Sequence, residues 1–67
     1  MTVQEKREKV EELKQVIEAV NILNTMLRLA SLSQYGKISP KCKEYDEKVE
    51  KLEKELHDLE VELLHLN

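Results

Sequence analysis

A chain of 67 residues forms one small domain, and with neither Phe nor Trp it has little from which to build a conventional core. Such a chain buries only about 60% of its unfolded surface and usually adds a metal, disulfides or oligomerisation. One cysteine excludes an intramolecular disulfide, no CxxC or Cys/His cluster suits structural zinc, and a formal net charge of −3 argues against a phosphate-backbone binder, despite a local basic patch at Lys37, Lys41 and Lys43.

One Gly, one Pro and 37% charged residues of mixed sign are the composition of long helices and coiled coils, so the expected fold class is all-α. The first predicted helix opens at Thr2-Val3-Gln4-Glu5, a capping-box sequence in which the Thr hydroxyl and the Glu carboxylate satisfy each other's free backbone N–H groups. From Val3 to Lys14 the only apolar residues are Val3, Val10 and Leu13, so this part reads as a solvated helix with a narrow seam.

The character changes at Val16. From there to Leu32, eleven of seventeen residues are aliphatic or Met, and only Glu18 and Arg28 carry charge. At 3.6 residues per turn, Leu13, Val16, Val20, Leu23, Leu27 and Ala30 form one stripe. Ala19, Ile22, Met26 and Leu29 form a second, roughly 110° away around the helix. Two apolar stripes require cover on two sides. Asn24 and Ser31 border the first stripe, in the heptad column of Val3, Val10 and Ile17, where a polar residue fixes register or oligomer number at a cost in stability.

The segment Tyr35-Gly36-Lys37-Ile38-Ser39-Pro40 marks a turn. Gly36 suits the left-handed position that ends a helix, Ser39 is a good N-cap, and Pro40 fits the first helical position, where a missing N–H costs nothing. A turn this short makes the two helices antiparallel neighbours. The second predicted helix runs from Pro40 to about Leu66. Along it Cys42, Tyr45, Val49, Leu52, Leu56, Leu59, Leu63 and Leu66 alternate at spacings of three and four, a coiled-coil seam for the intramolecular contact. Its outer positions hold helix-supporting pairs such as Glu44/Lys48, Glu47/Lys51 and Glu50/Lys54, each worth about 0.2–0.5 kcal/mol. A first helix of about 50 Å beside a second of about 40 Å leaves the N-terminus of the first expected to overhang.

Several residues invite a chemical role. Glu62-x-x-His65 has the spacing of a bundle metal ligand pair, but it occurs once and flanks the seam instead of projecting inward, so it reads as solvated helix-end charge. Cys42, between Lys41 and Lys43 in the first turn of the second helix, has the surroundings of an activated thiolate, yet its seam position makes it a small buried hydrophobe. Tyr45 reads as a seam aromatic with its hydroxyl at the rim. His57 and Asp58 belong to no nucleophile-base arrangement, and a two-helix hairpin encloses no cleft, so neither catalysis nor a cofactor is expected.

The opening Met-Thr, Glu11-Glu12-x-Lys14-x-Val16-Ile17 and Gly36-Lys37-Ile38-Ser39-Pro40 followed by Tyr45 resemble the small co-chaperones of type III secretion needle subunits. That resemblance implies a cytosolic helical hairpin whose exposed apolar stripe grips a second chaperone subunit and keeps an export-bound subunit from polymerising. Met1-Thr2-x-Gln4-Glu5-Lys6, with Leu56-His57-Asp58 and Glu62-Leu63, is similar to plasmid copy-number regulators of the Rop type, hairpins that dimerise into four-helix bundles. The Gly-x-x-Ser-Pro turn and the Lys/Glu-rich outer helix are also similar to idealised designed bundles. The small sporulation phosphatases are hairpins too, but their Ser-Gln-x-Leu-Asp signature meets Cys42-Lys43-Glu44-Tyr45-Asp46 here.

The sequence therefore predicts a single two-helix antiparallel hairpin, self-associating as a homodimer or homotrimer through Ala19, Ile22, Leu23, Asn24, Met26, Leu27 and Leu29. The alternative is an adaptor or chaperone that binds a partner's helix. The longest uncharged run, Ala19 to Leu27, is nine residues, against about 20 needed to span a bilayer, and EKREK lacks a signal-peptide hydrophobic region. A cytoplasmic protein with no membrane or nucleic-acid partner is expected.

Overall fold

The computed structural model describes residues 2–65, which form two helices, α1 (Val3–Tyr35) and α2 (Lys41–His65), folded back on one another as an antiparallel hairpin. Leu66, expected to close the seam of the second helix, lies outside the described residues. The hairpin measures 50 × 15 × 14 Å, so the 33 residues of α1 span its long axis.

Local chemistry fixes the ends of both helices. The Thr2 hydroxyl accepts from the Glu5 N–H at 3.1 Å and donates to the Glu5 carboxylate at 3.2 Å. Half of the expected capping box forms; the Glu5 side chain takes the hydroxyl proton and leaves the backbone N–H of Thr2 aside. At the other end Gly36 is left-handed (φ 70°, ψ 11°) and its N–H returns to the Leu32 carbonyl at 3.0 Å. Glycine adopts this conformation without the Cβ penalty other residues meet. The Ser39 side chain accepts from the Lys41 N–H, and the first backbone bonds of α2 run from Cys42 to Ser39 and from Lys43 to Pro40.

The contact between the helices follows a strict heptad. On α1, Val10, Leu13, Val20, Asn24 and Ser31 are buried, with Ile17 and Leu27 half-buried between them. On α2, Cys42 and Val49 are buried, while Tyr45, Leu52, Leu56, Leu59 and Leu63 are half-buried. This corrects the covered stripe: Leu13, Val20 and Leu27 turn inward, but Val16, Leu23 and Ala30 stay exposed. Both columns have the heptad spacing, and the seam follows the one that stays apolar at Val10 and Ile17, where the other reaches Lys9, so polar Asn24 and Ser31 are carried into the contact.

The two polar residues meet burial differently. Ser31 Oγ donates to the Leu27 carbonyl one turn back at 2.6 Å, which satisfies it locally. Asn24 Nδ2 donates to Asp46 Oδ1 at 2.7 Å, across the hairpin. A carboxylate accepts only from the amide nitrogen, so the Asn24 oxygen must turn inward, where it is buried without a partner.

Register decides where the longer helix protrudes. Asn24 sits eleven residues before the end of α1, but Asp46 only five residues after the start of α2. At 1.5 Å per residue, α1 therefore runs about 9 Å past α2 at the turn. The segment from Lys37 to Pro40 folds back along this extension and, with Leu27, Ser31 and Tyr35, lines a 290 Å³ cleft. At the open end Lys6 reaches Glu62 at 3.1 Å, so α2 accompanies α1 almost to its first turn. The expected N-terminal overhang is instead a projection at the turn.

Among the described residues the remaining ion pairs are Lys14 with Glu11 at 3.9 Å and Arg28 with Asp46 at 3.4 Å. Glu44/Lys48, Glu47/Lys51 and Glu50/Lys54 are not within 4.0 Å of one another. These solvated side chains gain too little from one fixed geometry to offset the entropy of holding it.

Candidate interaction surface

The heptad seam determines what faces away from it. Ile22 and Met26 lie two residues before and after the buried Asn24, and two residues of helix turn the side chain by about 200°. Both therefore point to the far side of α1, where they are 53% and 61% exposed. Leu29 and Leu23 extend the face at 64% and 54%, and Val16, Ala19 and Ala30 continue it as exposed apolar residues. The resulting surface is continuous over four turns. A shallow groove of 490 Å³ runs along its edge between Ile17, Glu18, Asn21, Ile22, Thr25 and Met26.

Polar side chains confine this face. Thr25 Oγ1 donates to the Asn21 carbonyl at 2.9 Å, turning its hydroxyl back on the helix and presenting its methyl group outward. Arg28, one turn further along the same polar strip, reaches Asp46 at 3.4 Å, away from the apolar face.

Of the residues assigned to association from sequence, Ala19, Ile22, Leu23, Met26 and Leu29 lie on this exposed face. Asn24 and Leu27 do not: Asn24 is 7% exposed and bonded to Asp46, and Leu27 is half-buried in the seam. Val16 and Ala30, assigned to the covered stripe, belong to the outer face. The role of Asp46 was missed because, among the Lys and Glu of α2, it read as one more solvated charge. The signal that would have found it is the polar residue in the facing heptad column, since a buried amide requires a partner across the hairpin.

The remaining candidates are placed plainly. Cys42 is a free cysteine and 2% exposed, so its sulfur lies inside the contact between the helices. Glu62 is engaged by Lys6, and His65 is exposed. Among the described residues no three His, Cys, Asp or Glu side chains converge to hold a metal ion, and no helix is long and apolar enough to cross a membrane. In comparison with known proteins, no family model, no curated protein and no solved structure matches the chain.

Proposed function

We propose that this protein is a non-catalytic assembly module of the cytosol, in which two or more hairpins join through the outer face of α1 to form a helical bundle. The observation that carries this reading is the run of exposed Ile22, Leu23, Met26 and Leu29 on one side of a single helix. Large contiguous apolar patches on a soluble chain mark interfaces.

Two physical arguments support it. A compact monomer of 7.9 kDa exposes about 4,400 Å², from the scaling of surface with mass. The hairpin exposes 5370 Å². The difference, roughly 1,000 Å², is close to the roughly 800 Å² each partner contributes to a standard interface. Separately, the buried apolar side chains of the hairpin among the described residues are Val10, Leu13, Val20, Cys42 and Val49, a thin core for an independent domain. A lone reduced cysteine suits a reducing compartment.

Helicity followed by circular dichroism over a hundredfold range of protein concentration tests this reading. Folding coupled to association requires the melting temperature to rise with concentration. A melting temperature independent of concentration contradicts self-association and leaves the outer face to a helix of another protein, the adaptor alternative.

A further inference from the structure

Resting on the self-association just proposed, we infer that the second copy packs its α1 antiparallel to the first, about a two-fold axis near Leu23. The outer face has its own heptad. Ala19, Met26 and Ser33 occupy one column and Gln15, Ile22 and Leu29 the next, all exposed. Followed toward the N-terminus, the same two columns become acidic at Glu12, Glu8 and Glu5, again all exposed. The face is therefore an apolar centre with an acidic N-terminal end.

Toward the turn the same two columns carry no charge, at Leu29, Ser33 and Gly36. Between Glu18 and Glu44 no acidic residue occurs, and the charges are Arg28, Lys37, Lys41 and Lys43. Arg28 is held by Asp46, whereas the three lysines are exposed around the turn without an ion-pair partner among the described residues.

These features distinguish the two ways of pairing the face with itself. Parallel packing places Glu8 and Glu12 against their own copies, and like charges across an interface oppose association. Antiparallel packing about the midpoint of the Val16 to Ala30 stretch superimposes apolar on apolar. It sets Val16 level with Ala30 of the second copy and Glu12 level with its Gln34, so the acidic columns of one copy meet uncharged side chains of the other. The small side chains of Ala19 and Ala30 allow the helices to approach closely, and a two-fold arrangement closes on itself, so the assembly stops at two hairpins and four helices.

Spin labels measure this arrangement directly. In a Cys42→Ala background, Glu12→Cys and Gln34→Cys are labelled separately, and the distance between the two copies is read by pulsed electron resonance. Antiparallel packing places each label about 30–35 Å from its counterpart, from a rise of 1.5 Å per residue on either side of the axis. Parallel packing brings both pairs to about 10 Å, the usual separation of packed helices, and that result overturns the inference while leaving self-association intact. A single-chain mass by light scattering, with no distance between labels, overturns self-association itself.

Discussion

Met26→Glu is expected to reduce the assembled protein to single chains. Met26 is 61% exposed on the hairpin and central to the outer face, so the substitution does not disturb the contact between α1 and α2. In an assembly it places an unpaired carboxylate in an apolar seam, at a cost of several kcal/mol per copy. A loss of about 4 kcal/mol weakens association by about a thousandfold. Helicity falls with mass, because the isolated hairpin retains few buried apolar side chains and a domain of this size has only about 5 kcal/mol to lose. Glu47→Gln, on the exposed side of α2, changes neither mass nor helicity. Sedimentation equilibrium and circular dichroism on the two variants check both outcomes. If Met26→Glu keeps its assembled mass, the outer face is not the contact.

A second large effect is expected in the opposite direction. Asn24→Val removes an amide whose oxygen is buried without a partner, a situation costing about 1–3 kcal/mol. The hydrogen bond lost with it, from Nδ2 to Asp46, leaves a carboxylate that is still beside Arg28 and open to water. The balance favours the variant by about 1 kcal/mol, which for a chain of this length raises the melting temperature by about 4–8 °C. Assembled mass stays unchanged, because Asn24 faces α2 and not the outer face. A lower melting temperature would show that the Asn24–Asp46 bond outweighs the orphaned oxygen.

The limits of the helices were legible in the sequence because they depend on neighbouring residues. Gly36 ends α1 by its left-handed conformation, and Ser39 with Pro40 starts α2 by capping chemistry that acts within a single turn. Ile22, Met26 and Leu29 were legible as a second apolar stripe from their spacing of three and four, but that they face outward follows from Asn24, which the sequence reading set in the association surface and the structure turns inward. The choice between the Val16/Leu23/Ala30 column and the Val10/Ile17/Asn24/Ser31 column was not legible from hydrophobicity. Both cannot be covered by one narrow partner, and the covered column is the one that stays apolar toward the N-terminus at Ile17 and Val10, where the other reaches Lys9. Nor was the protruding end of α1 legible. It follows from register, which Asn24–Asp46 and Lys6–Glu62 fix over separations of 22 and 56 residues.

The proposal that α1 needs cover on two sides, with α2 on one and another hairpin on the other, is tested most directly by the mass of the unmodified protein in solution. Sedimentation equilibrium across the micromolar range is expected to give at least twice the 7.9 kDa of the chain, and two chains for the antiparallel arrangement. A mass of one chain throughout that range, with full helicity, would contradict it.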